Sequence, residues 1–319
     1  MDYLILSLIR RKCDLCKGTN EMRLYKYIRA LETINDSSIR GGSEIIDISK
    51  KLEATVQESK LFFSHPASFN DPLECTIPIT IDNYNINKEK YLSFCKSFIN
   101  KRIGNSSSEF ERKNRVNEIL EYGMPLENCL VTCFTKDGNN QLMWAHYADQ
   151  NKGICLCYEF PETIEDFKEQ VIWSEMISSD INNWGLEVQC NSVDYRIKRP
   201  SLHVSNTSLS VDNWTFDNDY ILGNAIFTKP QCWVYEQEWR LALILPLGGK
   251  IAFGVGMNTS DYYAVLPREW LKEVIFGLRL KKEYCEKIKN LFKSSGYSGV
   301  EFKKAKMAHG EFRIIIEQY

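Results

Sequence analysis

The chain has 319 residues, of which 44% are hydrophobic and 12% aromatic, and its formal net charge is -2. This hydrophobic content is enough for a packed core and excludes wholesale disorder. The small net charge gives no electrostatic basis for strong binding to nucleic acid or to an anionic membrane. The eleven cysteines are scattered without a disulfide framework, which indicates a reducing, cytoplasmic environment.

The N-terminal residues predict neither a membrane span nor a secretory signal. The apolar run at residues 3–9 is far shorter than the roughly 20 residues that span a bilayer, and its basic residues follow the run instead of preceding it. Cys13 and Cys16 form a single CxxC pair without a second pair of ligands nearby, so no metal site is predicted. We expect residues 1–22 to be an appendage to a single domain at residues 23–319, with no membrane partner.

The first elements of the domain read as strand, helix and strand. Polar and apolar residues alternate over residues 23–28, as in a half-buried strand. Apolar residues at helical spacing predict a helix over residues 44–59. Residues 61–65 predict a second strand, which ends at Pro66.

The central residues predict short elements followed by a polar segment. The predicted elements are a turn at 70–72, helical residues at 87–122, a strand at 130–134, a turn at 137–140, a helix at 141–148 and a strand at 153–160. Residues 176–218 are rich in Asn, Ser and Asp. We expect a polar insertion there, around a strand at 193–196.

The C-terminal third predicts strands and one long helix. Residues 225–229 read as a strand or a helix end, residues 238–245, 270–277 and 312–316 as strands, and residues 281–295 as an amphipathic helix. Strands outnumber long helices and do not alternate regularly with them. We therefore predict an α+β fold with mixed or antiparallel sheets and flanking helices.

Polar and aromatic residues form a first candidate cluster on the opening strand. Tyr25 and Tyr27 share one face of that strand, and Lys26 points to the other. This pattern is typical of a half-buried strand with a solvated lysine, and it also fits a ligand-binding strand.

A second cluster begins with Ser64, before His65 and Pro66, and continues with Asn70 and Asp71. Asn and Asp before a proline form turns by bonding their own backbone. Turn chemistry explains these two residues but does not require the glutamate three positions later, so a turn and a site remain open as alternatives.

A third cluster lies on the predicted helix at 141–148. Trp144 and Tyr147 are three residues apart and can contact each other on a helix. His146 is either a general base or ligand, or a histidine whose hydrogen bonds are satisfied within the fold.

The fourth cluster contains two glutamates and an arginine. On a strand, Glu236, Glu238 and Arg240 share one face. They form either a surface stripe of ion pairs, which contributes little stability, or a carboxylate pair held by arginine at a cleft.

Several motifs occur together in one order along residues 23–280. They are Leu24-Tyr-Lys-Tyr27, Phe69-Asn-Asp-Pro72 with Glu74, Cys133-Phe134, Leu142-Met-Trp144 with His146-Tyr147, Lys152-Gly153, Lys229 with residues 233–240, and Val274-Ile-Phe-Gly277. In this order they resemble a bacterial family named domain of unknown function 2971. One departure is Ile28, which separates Tyr27 from the arginine that usually follows directly.

A more distant resemblance connects the chain to ADP-ribosyltransferase-like folds. Those folds carry a basic residue or histidine on the first strand, a serine or aromatic residue on the second, and Glu-x-Glu on a later strand. Lys26 or Arg29, Ser64, and Glu236 with Glu238 occur here in that order. The resemblance implies NAD as the substrate. It implies that the last glutamate stabilises positive charge as nicotinamide leaves, which is transition-state stabilisation.

The resemblance implies NAD-dependent ADP-ribosyl transfer or NAD cleavage, in bacterial defence or as a toxin, with an acceptor that the sequence does not define. The candidate catalytic residues are Glu238, Glu236 and His146. The candidate nucleotide-binding residues are Tyr25, Lys26, Tyr27, Ser64, Asn70, Asp71, Trp144, Tyr147 and Arg240.

Two other functions remain open from the sequence. Asp71, Glu74, Glu236, Glu238 and His146 offer ligands for a metal-dependent phosphodiesterase or nuclease. Alternatively, the polar clusters are structural, and the chain is a non-enzymatic module that binds a ligand or a partner protein.

Overall fold

A computed structural model describes residues 22–36, 43–81, 124–126, 129–204, 224–244 and 259–319. The predicted helical segment at 87–122, residues 1–21 of the predicted appendage and residues 205–218 of the predicted insertion lie outside this part of the chain. Among the helices of the described residues, none has the length and hydropathy that spanning a membrane requires.

The described residues form strands and helices with the following bounds. The strands are β1 (Met22–Ile28), β2 (Leu31–Asp36), β3 (Ser43–Ile48), β4 (Lys60–Phe62), β5 (Thr76–Ile77), β6 (Ile79–Ile81), β7 (Met124–Pro125), β8 (Cys129–Thr135), β9 (Ile154–Phe160), β10 (Ile172–Trp173), β11 (Glu187–Ser192), β12 (Asp194–Arg196), β13 (Leu202–Val204), β14 (Thr228–Pro230), β15 (Glu238–Ile244), β16 (Tyr263–Val265), β17 (Leu271–Phe276), β18 (Glu301–Met307) and β19 (Ile314–Gln318). The helices are α1 (Lys50–Gln57), α2 (Gln141–Tyr147), α3 (Ile164–Gln170), α4 (Glu175–Trp184) and α5 (Lys282–Ser294).

An eight-stranded sheet organises the described residues, in the order β11-β15-β8-β1-β9-β17-β18-β19. Its neighbouring strands are antiparallel except β17 and β18, which are parallel. α5 connects these two strands, since parallel neighbours need a crossover connection. The predicted α+β class with mixed sheets is confirmed.

Side chains alternate between the two faces of this sheet, and each face carries its own core. Leu24, Phe134 and Leu241 belong to the largest core, on what we call the core face, where α1 and α5 also pack. Smaller apolar clusters cover the other face, which we call the site face; Tyr27 and Ala242 belong to them. Because both faces are covered, the central strands are buried along almost their whole length.

Strand register places the predicted opening strand beside the glutamate strand. Tyr25 lies opposite Thr135, and Thr135 lies opposite Glu238 on the next strand. Tyr25 and Glu238 therefore share the site face, with backbones about 10 Å apart, because two strand spacings separate them. Lys26 points to the core face instead.

Most of the predicted strands are found close to their expected bounds. Residues 23–28, 130–134, 153–160 and 270–277 are confirmed as strands, and the helices predicted at 141–148 and 281–295 are confirmed. The strand predicted at 61–65 is shorter, Lys60–Phe62, and Ser64 continues it as a single antiparallel bridge to Val131. The last strand begins two residues later than predicted.

The helix predicted over residues 44–59 is wrong in its first half. Residues Ser43–Ile48 form a strand that pairs with Leu31–Asp36 as an antiparallel ribbon, and the latter strand was not predicted. The helix starts only at Lys50, because the Ser49 side chain accepts a hydrogen bond from the backbone N–H of Leu52 and caps it.

The described part of the polar segment contains a helix and several strands. Its first part is α4, and β11 forms an edge of the main sheet. The strand predicted at 193–196 is confirmed as β12, which pairs in parallel with β14.

Two glycines at the end of the sheet allow a close approach of backbones. The N–H of Gly277 donates to Gly153 O at 2.9 Å. A Cβ at residue 277 would lie 2.7 Å from that oxygen and even closer to Asn151 O. Because both contacts are to backbone atoms, no side-chain movement relieves them.

We expect Gly277→Ala to destabilise the fold by about 1–3 kcal/mol, the usual cost of overpacking. Gly299→Ala is the matched control, because a Cβ there meets no atom within 4 Å, and we expect it to change stability by less than about 0.5 kcal/mol. Urea denaturation of both variants gives the two values. Equal midpoints for them would contradict the close approach.

Candidate functional site

Five charged side chains from distant parts of the chain meet on the site face. Glu74, Lys229, Glu236, Glu238 and Arg240 are each at most 5% exposed, and we call them the ion network. Three formal negative charges face two positive ones. Such burial is costly unless the charges are paired and hydrogen-bonded.

Lys229 is the point where the three carboxylates converge. Its Nζ lies 2.8 Å from Glu74 Oε1, 2.5 Å from Glu236 Oε2 and 2.9 Å from Glu238 Oε2. Two of these contacts are hydrogen bonds, to Glu236 and Glu238, and the third is an ion pair with Glu74.

Arg240 completes the network with its planar guanidinium. Its Nε donates to Glu238 Oε1 at 2.7 Å, and its Nη2 donates to Glu74 Oε2 at 2.5 Å. Its Nη1 donates to Ile226 O at 2.6 Å. Both oxygens of Glu238 are therefore bound by cations, since Oε2 also faces Lys229.

The two glutamates that flank Gln237 respond oppositely to this environment. Burial alone would raise the pKa of Glu238, but Arg240 and Lys229 together hold the pKa of this carboxyl well below its usual range. Burial raises the pKa of the Glu236 carboxyl, although Lys229 and a hydrogen bond from Tyr147 oppose the shift. The network thus favours the charge of Glu238, whereas burial disfavours that of Glu236.

A turn brings Glu236 and Glu238 to Lys229. The strand conformation predicted for residue 236 is wrong. Residues Gln231–Glu236 form a 3₁₀ helix, and the strand begins at Glu238. Gln237 between them adopts the left-handed conformation, with φ 44°. This turn, and not strand alternation, brings Glu236 and Glu238 to the same lysine.

Aromatic rings lie above the ion network at the protein surface. His146 is exposed, and its ring centroid lies 6.4 Å from those of Trp233 and Tyr235. Trp233 and Tyr235 lie 5.9 Å apart and are partly exposed. We call these three residues the aromatic surface.

Hydrogen bonds connect the aromatic surface to the layer below it. Trp233 Nε1 donates to Asp71 Oδ2 at 2.7 Å, and the Tyr147 hydroxyl donates to Glu236 Oε1 at 2.6 Å. Burial raises the pKa of the Tyr147 hydroxyl, and the side chain of Asn70 opposes this shift. Residues of the second, third and fourth sequence clusters therefore lie together.

Two of the predicted nucleotide-binding residues, Tyr27 and Trp144, are buried, and a third, Tyr25, is partly buried. The rings of Tyr27 and Trp144 pack edge to face at 5.0 Å. The Tyr27 hydroxyl donates to Asp137 O, and Trp144 Nε1 donates to Gly138 O. The structure places both rings in an apolar cluster beside the network.

Lys26 and Ser64 are placed apart from the ion network. Lys26 Nζ donates to Thr132 Oγ1 at 2.7 Å and to Cys133 O at 3.0 Å, on the core face. Burial lowers the pKa of Lys26 to about 8. Ser64 exchanges two backbone hydrogen bonds with Val131.

Three residues of the site were not singled out from the sequence. Lys229 appears there only within a family motif, and Trp233 and Tyr235 only as aromatic neighbours of the glutamates. One available signal was the position of Lys229 two residues after the apolar run at residues 225–227, because a buried lysine requires paired carboxylates.

The described residues contain no group of three or more His, Cys, Asp or Glu side chains arranged to hold a metal ion. In the ion network, lysine and arginine already occupy the carboxylate oxygens that a divalent cation would need. The geometry therefore gives no support to the metal-dependent alternative.

One segment of the chain matches a family model. Residues 143–241 match the family described as protein of unknown function, DUF2971. This confirms the family resemblance over about a third of the chain. The DUF2971 segment contains the aromatic surface and every residue of the ion network except Glu74. No curated protein and no solved structure matches the chain.

We expect Glu238→Gln to destabilise the protein by about 3–5 kcal/mol, because it removes the partner of two buried cations. Glu236→Gln is the matched variant, and we expect it to be neutral or stabilising, because burial disfavours the charge that it removes. Urea denaturation at pH 7 compares them. Equal destabilisation by both substitutions would contradict the assigned charge states.

The pH dependence of the same variants separates the two glutamates. The lowered pKa of Glu238 gives stability that is present above about pH 4, the ordinary value, and is lost as the pH falls further. The raised pKa of Glu236 has the opposite effect on stability. Ionisation of this carboxyl costs stability as the pH rises above about 4, the ordinary value. The free energy of unfolding is measured against pH for the wild type and both variants. The wild-type value minus that of Glu238→Gln should rise with pH, and the wild-type value minus that of Glu236→Gln should fall.

Proposed function

We propose that the chain is a ligand-binding protein whose aromatic surface takes a planar heteroaromatic group, such as the base or nicotinamide ring of a nucleotide. The observation that carries this proposal is a group of three adjacent rings, one exposed and two partly exposed, beside a buried ion network. Exposed aromatic groups of this kind are unusual on a surface without a binding role. A stacked base contributes about 1–3 kcal/mol per ring contact.

The aromatic rings are preorganised for such a ligand. Trp233 is fixed by its hydrogen bond to Asp71, and the backbone carbonyl of Tyr235 accepts a hydrogen bond from Asn140 Nδ2 at 2.6 Å. A ring held in place before binding loses little conformational entropy when the ligand arrives.

The ion network favours a structural role for Glu238. A catalytic carboxylate must reach the substrate, whereas Glu238 is 4% exposed and both of its oxygens are bound by cations. We therefore favour ligand binding over catalysis by Glu238.

NAD cleavage or ADP-ribosyl transfer, in bacterial defence or as a toxin, is the second candidate. It is favoured by Glu236, whose carboxylate lies directly beneath the aromatic surface and contacts Tyr147. Release of nicotinamide from NAD by the wild type, abolished by Glu236→Gln with unchanged folding, would support this candidate. No release by the wild type would remove it.

We also propose a cytoplasmic location, which rests on the scattered cysteines of the sequence.

We expect Trp233→Ala to weaken binding of NAD or adenosine monophosphate about tenfold or more, because a stacking contact worth 1.4 kcal/mol corresponds to a factor of ten. Trp233→Phe should retain most of the affinity, since it keeps a ring. Ile172→Ala, at a residue that is 70% exposed, is the control for a lost surface side chain. Isothermal titration calorimetry gives the affinities. Unchanged affinity in Trp233→Ala would exclude the aromatic surface as the binding site.

A further inference from the structure

The eight-stranded sheet ends in an edge strand, β19. Within the described residues, β19 pairs with β18 alone and comes last in the strand order. Phe312 and Arg313 just before this strand are exposed, and so are Glu317 and Gln318 at its end. An edge strand of this kind presents a row of backbone N–H and C=O groups that can pair with another strand.

The even-numbered residues of β19 direct their backbone groups away from β18. Ala308 N donates to Arg313 O at 2.9 Å, and Tyr319 N donates to Phe302 O at 2.9 Å. Residues 313 and 319 therefore face inward. Alternate residues of an antiparallel strand bond the neighbour or face away from it. The outward residues are consequently Ile314, Ile316 and Gln318.

The features that usually keep an edge strand from pairing are missing from the sequence of β19. Natural edge strands are commonly protected by proline, by lysine or by a bulge. Residues 314–318 contain neither proline nor lysine, and their register with β18 is unbroken. Three consecutive isoleucines favour a strand on both faces. The outer side of β19 is therefore suited to a further strand.

The segment Arg313-Ile-Ile-Ile-Glu317 is complementary to itself when two copies run antiparallel. In the register centred on Ile315, Arg313 of each copy lies opposite Glu317 of the other. Ile314 lies opposite Ile316 on the other face of the sheet. Opposite charges and pairs of β-branched residues are both favourable directly across two strands.

The same register also satisfies the backbone. Ile314 and Ile316 both face outward, so these opposite residues form a hydrogen-bonded pair and exchange both of their N–H···O bonds. A shift of one residue would set an outward residue against an inward one and lose these bonds. Charge and backbone direction therefore select the same alignment.

The ion pairs that these charges already make are compatible with that alignment. Arg313 Nε donates to Glu311 Oε2 at 2.9 Å, and Lys306 Nζ lies 2.6 Å from Glu317 Oε2. These four side chains are between 48% and 62% exposed, and such surface pairs are weak. Contact between copies extends both pairs into one row, in which negative and positive charges alternate.

We propose that β19 pairs with β19 of a second copy of this chain, in the antiparallel register centred on Ile315, so that two eight-stranded sheets join into one. Such an interface has two-fold symmetry, and it does not depend on the ligand proposed for the aromatic surface. The other edge strand, β11, contains one glutamate and neither lysine nor arginine. No antiparallel pairing of β11 with itself matches opposite charges, so charge complementarity favours β19.

Sedimentation equilibrium of the full chain over a series of concentrations tests the proposal. We expect a monomer–dimer equilibrium. Arg313→Glu sets like charges opposite each other at two symmetric places, and it should weaken dimerisation by about tenfold or more. Glu317→Arg alone should weaken it similarly. The double variant with both substitutions restores opposite charges and should regain most of the affinity.

Lys168→Glu is the matched control for the change of charge. Lys168 is an exposed lysine of α3, and α3 packs against β11 at the opposite edge of the sheet. This variant should dimerise as the wild type does. A chain that stays monomeric at every concentration would overturn the proposal, and so would a dimer that both single charge variants leave unchanged.

Residue-resolved hydrogen exchange tests the backbone part of the interface. In the dimer, the amides of Ile314 and Ile316 should be protected. In Arg313→Glu at low concentration they should exchange faster, whereas those of Ile315 and Glu317 stay protected by β18. Protection of Ile314 and Ile316 in the monomer would show that another segment of the chain covers this edge, and it would contradict pairing with a second copy.

Discussion

The ammonium group of Lys229 lies within 2.9 Å of three carboxylates, in a place that water hardly reaches. Removing any of these charges from water is expensive, and only close pairing compensates for it. The pairing works only if the turn that carries Glu74, β14 and the start of β15 are all in place together. The ion network therefore connects segments far apart in the sequence and fixes the geometry of the site face.

The aromatic surface follows from this arrangement. Glu236 must turn inward to reach Lys229, and the left-handed Gln237 makes that turn possible. The preceding 3₁₀ helix then directs Trp233 and Tyr235 toward His146. The Tyr147 hydroxyl bonds Glu236 from α2, so the helix that carries His146 is anchored to the same network. Buried charge thus positions exposed rings, which is why the two layers are best understood as one site.

Local patterns in the sequence predicted the elements whose periodicity is regular. The alternating residues of β1 and the helical spacing in α5 are examples, and both elements are found. The helix at 44–59 was wrong because isoleucines suit either period, and a single cap at Ser49 decides between them. The candidate site was harder to predict from the sequence. Glu236, Glu238 and Arg240 stood out as a group, but their convergence on Lys229 depends on the conformation of Gln237 and on tertiary contacts with Glu74, which no local pattern encodes.

Charge holds the fold together within the ion network. The formal charges of the network nearly cancel, and Lys229 is paired with three carboxylates. Charges that are mutually satisfied hold a fold in one arrangement but offer nothing to a ligand. Recognition is therefore expected at the surface beside the network, while the carboxylates within it support the fold.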